Sequence, residues 1–414
     1  MGRVARESSS SAVGAQLGSG LIGLVILLAA WAVTRAVLMA ETFSGETPTD
    51  VVAYARWAGG LSEGVAPATD TAFVYPPGSV AIFWGIDLLG GSYYRVFTLA
   101  ALLADFVILA LLWTRVRQRD TRLVAAPWAW VVMGFAAGPL LYQRYDIFSA
   151  LFGVLAVLAL SKPVRAGIWS GLGMIVKLWP EIALLGLSRR NIWKGLAASL
   201  VTVVVFWGAL HLLWGDSFGF VGNVLNKGLS VEAVVAYPFL VMRALGSSHV
   251  VTGQFGSWEV VGPGVEMAAT ATTVLGVLLL GALFILRLMG RLDHASPGDI
   301  VLLGVLAFVA THKINSLQYG VWIAAIAAAA LTFEKSQALG PAILLTLMLV
   351  VADQVVWDNF VSFISGNPLM LGYQGVRLVL LLVAAGWLGW SVLSPDRLAS
   401  QDRNGLSLSR GTPE

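Results

Sequence analysis

The stretch "LGSGLIGLVILLAAWAVTRAVLMA", Leu17 to Ala40, is the first long apolar run of the chain and decides its fold class. Val265 to Leu286 and Leu369 to Leu393 are runs of the same kind. Runs of about 18 or more apolar residues are typical of membrane-spanning helices. Only 12% of the residues are charged, whereas soluble domains carry roughly a quarter. We therefore predict an all-α polytopic membrane protein with about twelve transmembrane helices.

The hydrophilic segments differ in charge, and this difference predicts the topology. "RVRQRDTR", Arg115 to Arg122, is strongly basic, whereas the segment from Glu41 to Val74 contains five acids and one arginine. Because cytoplasmic loops collect Lys and Arg, we expect the basic segment inside and the acidic segment outside. This topology leaves both termini in the cytoplasm.

The same assignments divide the chain into segments. We expect a disordered cytoplasmic N-terminus over residues 1–16, a transmembrane domain over 17–393 and a disordered cytoplasmic tail over 394–414. The first external loop, 41–92, is predicted to carry two helices that lie on the membrane surface, and a long external loop covers 215–264. The apolar segment from Ile168 to Leu187 should break near Pro180, because proline removes a backbone hydrogen bond.

The counts of cysteine and histidine exclude several kinds of site. The chain contains no cysteine and four histidines. Disulfides, zinc–thiolate centres and thiol catalysis are therefore excluded, and we do not expect a cluster of histidines around a metal.

The segment "GETPTDVVAYARW", Gly45 to Trp57, follows the first span directly. It places Thr47 at a predicted helix cap, Pro48 at the first helical position and Asp50 at the third, which resembles a capping box. Two interpretations of Asp50 are open. Its carboxylate either stabilises the helix terminus or acts as a chemical group at the outer membrane surface.

"GPLLYQRYDIFSA", Gly138 to Ala150, places Arg144 and Asp146 between two apolar spans. One interpretation is an arginine that reaches from the membrane interface to water, beside interfacial tyrosines. The other is a pair of charged groups that face a site at the predicted external surface.

"GLGMIVKLWPEIALLGL", Gly171 to Leu187, contains Lys177 near the middle of an apolar segment. An intramembrane lysine costs roughly 2.5–3.5 kcal/mol and faces a cavity or a partner. The partner could be Glu181, four residues later. Alternatively, the segment is a re-entrant hairpin whose tip brings Lys177 to the external face, which agrees better with the predicted topology.

Two further segments place polar side chains on the predicted external face. "ATHKINSLQYGVW", Ala310 to Trp322, has His312, Lys313, Gln318 and Tyr319 at a turn between two short spans. Two interpretations are open: these residues form part of a functional site, or they only stabilise the turn.

"NKGLSVEAVVAYPF", Asn226 to Phe239, lies within the long external loop and contains Lys227 and Glu232. Glu232 either binds a sugar hydroxyl or forms a surface salt bridge, and the sequence leaves both interpretations open.

The charged residues of the predicted external face suit one kind of reaction. The acids are Asp50, Asp70, Asp146 and Glu232, and the cations are Arg144, Lys177, His312 and Lys313. A carboxylate can remove a proton from an attacking hydroxyl, while cations stabilise a departing phosphate. A phosphate attached to a long lipid would require an enzyme in the membrane.

The chain resembles the GT-C superfamily of glycosyltransferases that use lipid-phosphate sugars, and most closely glycosyltransferase family 87, which includes the mannosyltransferases of actinobacterial phosphatidylinositol mannosides. The resemblance runs roughly from Trp31 to Trp322. It rests on the order of short motifs, which are "TDVVAYARWAGGL", "FVYPP", "QRYDIFSAL", "GLGMIVKLWP", "NKGLSVEAVVA" and "HKINSLQYGVW". Two departures from the expected family pattern are Val-Val-Ala-Tyr after Asp50 and Asn-Ser-Leu before the Gln-Tyr pair.

The resemblance implies an inverting transfer of a sugar, mannose in the mannoside branch, from a polyprenyl-phosphate donor to a glycolipid or polysaccharide acceptor. It implies a GT-C-type helical bundle in the plasma membrane with its active site on the external, periplasmic side. Asp50 matches the catalytic base, and the resemblance implies that the protein uses neither a metal nor a cofactor. The expected phosphate-binding residues are His312, Lys313, Lys177 and Arg144, and the expected sugar- or acceptor-binding residues are Asp146, Glu232, Tyr75, Gln318 and Tyr319.

Other function classes remain to be weighed. A secondary transporter or flippase for a lipid-linked sugar would also have many spans, broken helices and buried charges, but it would normally show two related halves, and none is visible here. A non-catalytic membrane scaffold would have little use for Lys177 or His312. Membrane lipids are expected partners and nucleic acid is not.

Overall fold

The computed structural model of the protein describes residues 4–117, 124–215, 217–254 and 256–394. Most of this part is helical. The α-helices are α1 (Val4–Ser44), α2 (Thr49–Ser62), α3 (Pro77–Asp87), α4 (Tyr93–Val116), α5 (Ala125–Ala136), α6 (Leu140–Gln143), α7 (Asp146–Leu158), α8 (Pro163–Val176), α9 (Ile192–Trp214), α10 (Gly219–Asn226), α11 (Tyr237–Ala244), α12 (Val265–Leu288), α13 (Pro297–Thr311), α14 (Tyr319–Ala330), α15 (Leu339–Val351), α16 (Phe360–Ile364) and α17 (Pro368–Leu393). Short 3₁₀ helices cover Pro67–Thr69, Trp179–Gly186 and Val234–Ala236, and a π-helix covers Ala352–Trp357.

Five helices of the described part are long and apolar enough to cross a membrane. They are Gly20–Ser44 within α1, α4, α9, α12 and α17. Six further apolar segments, α5, α7, Val234–Ala244, α13, α14 and α15, are shorter than the roughly 20 residues that a straight span needs. The polytopic membrane class is confirmed, whereas the prediction of about twelve transmembrane helices is not.

The core of the bundle is built around α14. Every residue from Tyr319 to Ala330 is buried, and six of the last seven are alanines, whose small side chains let neighbouring helices approach closely. Helices α5, α7, α13 and α15 pack around α14. By contrast, α9 and α12 bury few of their apolar residues, as expected of helices that face lipid.

Helices α8 and α9 approach each other through small residues. A Cβ atom added at Gly167 would collide with the backbone oxygen of Gly195, and one added at Gly171 would lie 2.8 Å from the backbone oxygen of Ser199. Small residues at four-residue spacing are typical of close helix packing in membranes. This contact fixes the end of α8, and with it the position of Lys177.

A charged cluster lies among the membrane helices. Arg35 of α1 forms an ion pair with Asp105 of α4 at 2.9 Å, and both side chains are buried. Tyr142 donates a hydrogen bond to Asp105 at 2.7 Å, and Arg35 donates to the carbonyl oxygen of Val131 in α5 at 2.8 Å. Because each charge has a partner, the cluster ties α1, α4 and α5 together inside the bundle.

The prediction of an all-α fold is wrong in one segment. The long loop 215–264 contains a three-stranded antiparallel sheet in the order β1-β3-β2, formed by β1 (Leu229–Ser230), β2 (Val250–Gln254) and β3 (Ser257–Val261). Leu229 pairs with Val260, which also pairs with Val251. The segment "VVTG" and the segment "SWEVV" are rich in residues that favour strands, and Gly256 has a positive φ of 69° at the turn between them.

Other boundaries also differ from the prediction. Helix α2 begins at Thr49 rather than near Thr47, and Pro48 occupies the cap position without a side-chain cap hydrogen bond. Residues 1–16 are predicted to be disordered, but α1 begins at Val4. This segment contains no proline, so the helix of the apolar run can extend back through it. The disordered tail predicted over 394–414 lies outside the described residues, apart from Ser394.

Part of the predicted cytoplasmic segment also lies outside the description. Of the basic segment Arg115 to Arg122, the structure describes only residues 115–117. The surface-lying helix predicted from Tyr75 corresponds to α3, which packs against α2.

Candidate active site

A cavity of about 390 Å³ lies where the two predicted external loops meet the bundle. Its wall combines the start of α2, the junction of α6 and α7, the break after α8 and the turn between α13 and α14. Eight of the ten predicted site residues line it, which are Asp50, Tyr75, Arg144, Lys177, Glu232, His312, Gln318 and Tyr319. Its size is that of ordinary small-molecule sites.

Asp50 lies in the first turn of α2 and is 28% exposed at the cavity. The backbone around it makes a cap without any side-chain hydrogen bond. Instead, the carboxylate of Asp50 forms an ion pair with the guanidinium group of Arg144. The carboxylate therefore faces the cavity and a cation, so a capping role alone does not account for its position.

Arg144 follows α6 in an extended conformation. Its side chain is 7% exposed, and its guanidinium lies over the ring of Trp357 at 5.1 Å. An arginine that reaches to water would be exposed, so that interpretation is wrong. In the described part of the chain, the Nε atom of Arg144 has no hydrogen-bond partner. This atom is buried, but Arg144 lines the cavity with other atoms. Arg144 can thus hold Asp50 and still face a ligand.

Lys177 lies at the break between α8 and the 3₁₀ helix Trp179–Gly186, where its backbone is extended. Pro180 follows three residues later and prevents the helix from continuing. The Lys177 ammonium donates to Asp146 at 2.7 Å. It also lies within 6.0 Å of the centres of four aromatic rings, which belong to Tyr75, Tyr145, Tyr319 and Trp322. The predicted break is confirmed.

Glu181 is not the partner of Lys177, so the ion-pair interpretation is wrong. The Glu181 carboxylate accepts hydrogen bonds from Ser170 at 2.8 Å and from Ser199 at 2.7 Å. The extended backbone at Lys177 turns the lysine away from the helical register that would bring the two side chains together. Glu181 instead ties the 3₁₀ helix to α8 and α9.

Asp146 is fully buried at the start of α7 and does not line the cavity. One carboxylate oxygen holds Lys177, and the other has no hydrogen-bond partner in the described residues. The predicted sugar contact of Asp146 does not fit this position, because Asp146 is fully buried and is not part of the cavity wall. Asp146 contributes to the site only by holding Lys177 in position.

His312 and Lys313 differ in what they offer to the cavity. His312 lines it and donates from Nδ1 to the carbonyl oxygen of Ile314 at 2.6 Å. Burial chiefly lowers the pKa of His312, so the ring is neutral near pH 7 and its Nε2 atom is an acceptor. Lys313 donates to the backbone oxygen of Lys227 at 2.6 Å and does not line the cavity. The predicted phosphate contact of Lys313 therefore does not fit its position.

Glu232 is buried at the cavity wall, so the surface salt bridge is wrong. Its carboxylate contacts the hydroxyl of Ser230. Its backbone oxygen accepts from Arg377 at 2.6 Å and from Gln374 at 3.3 Å. Burial chiefly raises the pKa of Glu232, which suits a carboxyl group that exchanges hydrogen bonds with neutral hydroxyls.

Aromatic rings form much of the remaining wall. The ring of Tyr319 stacks on Trp322 at 3.8 Å between centres, and Trp322 stacks on Trp179 at 5.1 Å. The ring of Tyr75 meets Tyr145 edge to face at 4.9 Å. Gln318 accepts a hydrogen bond from the hydroxyl of Ser316. These contacts fix the shape of the cavity around Lys177.

The structure adds cavity residues to which the sequence assigned no role. They include Lys227 after α10, Phe220 and Val224 in α10, Trp258 in β3, and Trp357 and Phe360 near α16. Lys227 stands in the quoted motif beside Glu232, which could have drawn attention to it. The aromatic residues lie in apolar segments, where the sequence does not distinguish a cavity wall from a lipid-facing surface.

Asp70, one of the acids on the predicted external face, lies outside the cavity. Its carboxylate pairs with Arg56 and accepts from the indole of Trp57 at 2.9 Å. Among the described residues, no three His, Asp or Glu side chains cluster as metal ligands would. Asp50 and Asp146 are each engaged by a cation.

Comparison with known proteins gives one match. The model of glycosyltransferase family 87 matches residues 73–311, which is more than half of the chain. No curated protein and no solved structure matches. The matched segment includes Arg144, Lys177 and Glu232 and stops just before His312, and Asp50 lies before it. This helical membrane protein with a charged cavity is therefore a glycosyltransferase, and the chain belongs to glycosyltransferase family 87.

Proposed function

We propose that the protein transfers a sugar from a polyprenyl-phosphate donor to a hydroxyl group of a glycolipid or cell-envelope glycan, with inversion at the anomeric carbon. The observation that carries this proposal is the convergence of Asp50, Arg144 and Lys177 on one cavity. These residues come from three separate segments of a family 87 glycosyltransferase. A base and several cations in one cavity suit the displacement of a phosphate by a hydroxyl group.

In the proposed reaction, the acceptor oxygen attacks the anomeric carbon of the donor sugar. Asp50 takes the proton of the hydroxyl group. The bond between the anomeric carbon and the phosphate oxygen breaks, and polyprenyl phosphate leaves with the bonding electrons. Because the displacement has a single step, the configuration at the anomeric carbon is inverted.

The remaining cavity residues take supporting roles. Arg144 presents its positive charge to the phosphate at the cavity wall while it orients Asp50. Lys177 supplies a fixed positive charge, because Asp146 and four rings hold its ammonium in place. Acceptors and donors for sugar hydroxyls are His312 Nε2, Glu232, Tyr75, Gln318 and Tyr319, all of which line the cavity.

The proposal includes the membrane side and the donor sugar. The acid-rich segment that carries Asp50 favours the external side of the plasma membrane, since cytoplasmic loops collect basic residues. Mannose as the donor sugar rests on the resemblance to the mannosyltransferases alone. A transfer assay that compares polyprenyl-phosphate mannose with other polyprenyl-phosphate sugars tests that choice.

The decisive experiment replaces the proposed base. Purified protein in lipid nanodiscs is supplied with labelled polyprenyl-phosphate mannose and a membrane lipid extract as the acceptor source. We expect the wild type to form labelled glycolipid and Asp50→Asn to lose transfer by roughly 10²–10⁴-fold, the usual contribution of a general base. Glu46→Gln is the matched control, because Glu46 is exposed in the same loop and outside the cavity.

The outcomes separate the proposed function from its rivals. Transfer at the wild-type rate by Asp50→Asn would exclude Asp50 as the base. If the wild type moves labelled donor between the leaflets of a vesicle but forms no glycolipid, the protein translocates its donor, and the transferase proposal fails.

A further inference from the structure

Among the described residues, Lys227 differs from the other cations at the cavity because its charge has no hydrogen-bond or ion-pair partner. It follows α10 and is only 6% exposed, and it lines the cavity. Within the described residues, its ammonium makes neither a hydrogen bond nor an ion pair, although its own backbone oxygen accepts from Lys313 at 2.6 Å. A buried charge is costly without a counter-charge, so the position calls for an anion from outside the protein.

The other cations of the cavity are already engaged. The guanidinium of Arg144 holds Asp50, and the ammonium of Lys177 holds Asp146. His312 is neutral near pH 7, because burial lowers its pKa. Since Arg144 and Lys177 each balance the charge of a protein carboxylate, Lys227 adds the net positive charge that an incoming anion can neutralise.

The surroundings of Lys227 do not supply a counter-ion within reach. Glu259 of β3 and Glu232 are the nearby acids, but neither carboxylate comes within ion-pair distance of the lysine in the described structure. Glu259 accepts from Ser257 at 3.1 Å, and Glu232 contacts Ser230. Hydroxyl groups thus satisfy part of the hydrogen-bonding capacity of both carboxylates. The ammonium of Lys227 remains available to a ligand in the cavity.

We infer that Lys227 is the principal ligand of the donor phosphate, an inference that rests on the proposed function and assigns the anion subsite within it. The ligand is a phosphodiester carrying one negative charge between a sugar and a lipid. Bound beside Lys227, it would also face Lys177, whose positive charge acts on Lys227. An ammonium is a point charge with three donors, which suits phosphate oxygens.

The acid–base behaviour of Lys227 should make phosphate binding at this subsite depend on pH. Burial chiefly lowers the pKa of Lys227 to about 8, and Lys177 lowers it further, against the opposing charges of Glu259 and Glu232. Lys313 also packs on this segment through the Lys227 backbone. As the pH rises through about 8, Lys227 loses its proton and its affinity for phosphate falls. The donor phosphodiester does not titrate in this range, so kcat/KM reports the free enzyme.

The test compares three variants of the full-length protein in nanodiscs. Lys227→Gln removes the charge, Lys227→Arg keeps it, and Arg95→Gln removes a charge from an exposed residue at the start of α4, outside the cavity. We measure kcat and KM for the donor, the affinity for short-chain polyprenyl phosphate and for inorganic phosphate, and the melting midpoint. The binding assays need no transfer.

We expect Lys227→Gln to raise the donor KM and to weaken polyprenyl phosphate binding by about 10- to 100-fold, the usual effect of a charged hydrogen bond. Lys227→Arg should bind within severalfold of the wild type and should lose the fall in kcat/KM above pH 8, since arginine stays charged. Arg95→Gln should behave as the wild type. Weaker binding of inorganic phosphate than of polyprenyl phosphate would identify the lipid-linked anion as the ligand.

The inference is overturned if Lys227→Gln retains wild-type KM and wild-type affinity for polyprenyl phosphate, or if it loses only thermal stability. It is also overturned if the wild type binds neither phosphate. A further outcome separates the two proposals. If the protein transfers no sugar but binds polyprenyl phosphate in a way that depends on Lys227, the phosphate subsite is upheld and the proposed function is rejected.

Discussion

Replacing Asp146 by asparagine tests the most deeply buried charge pair at the site. Asp146 is fully buried and holds the ammonium of Lys177 at 2.7 Å, and Lys177 is 13% exposed. Asparagine has the same shape and keeps one oxygen that accepts from Lys177. The substitution therefore removes the negative charge and leaves the lysine charged inside the protein.

The cost follows from the surroundings of the pair. Removing one partner of a buried ion pair costs about 3–5 kcal/mol. Four aromatic rings with centres within 6.0 Å of the ammonium remain in the variant, and cation–π contacts contribute about 0.5–2 kcal/mol. We therefore expect a loss near the lower limit, about 3 kcal/mol, which lowers the melting midpoint of a chain of this length by roughly 3 °C.

A double substitution shows whether the loss comes from the pair. In Lys177→Met combined with Asp146→Asn both charges are gone, and methionine packs well against aromatic rings. We expect the double variant to melt above Asp146→Asn, because replacing both members of a buried pair is often nearly neutral. The 16 tryptophans of the chain allow melting to be followed by intrinsic fluorescence. Unchanged melting of Asp146→Asn, or additive losses in the double variant, would refute the reasoning.

Two further predictions concern the bundle. Asp105→Asn leaves Arg35 charged without its partner. We therefore expect the melting midpoint to fall by several degrees while the donor KM stays unchanged. A raised KM would contradict this prediction. Gly138→Ala should lower the free energy of unfolding by at least roughly 1–2 kcal/mol, the cost of a left-handed conformation for a residue with a Cβ atom, and so lower the melting midpoint. Gly138 has a φ of 63°, and a Cβ atom there would collide with Asp353. Melting equal to the wild type would show that the Gly138 turn adjusts.

The membrane class and much of the cavity wall could be predicted from the sequence. Long apolar runs identify spans because lipid requires about 20 apolar residues per helix, and Pro180 marks the break at Lys177. Asp50, Arg144 and Lys177 could be selected because charged groups beside apolar segments are costly unless they face a cavity or a partner. Family motifs in a fixed order added the expectation that these groups meet.

Long-range partners could not be predicted. Asp146 and Lys177 are 31 residues apart and Arg35 and Asp105 are 70 apart, whereas sequence spacing identifies only partners within one helix turn. Spacing therefore suggests Glu181 as a partner for Lys177, whereas the Glu181 carboxylate accepts hydrogen bonds from two serines.

The short sheet was hidden for a similar reason. Strands of two and five residues inside a long loop are weak signals, and the pairing of β1 with β3 brings together distant segments. That sheet positions the segment next to Lys227, so the sequence alone does not place Lys227 at the cavity.

The most direct test of the central claim is a cryo-EM structure of the protein with a non-transferable polyprenyl-phosphate sugar analogue. The claim predicts the phosphate within hydrogen-bond distance of Lys227 and Arg144, with Asp50 on the opposite side of the anomeric carbon. An analogue bound elsewhere, such as at the Arg56–Asp70 surface, with Asp50 remote from the sugar, would contradict it.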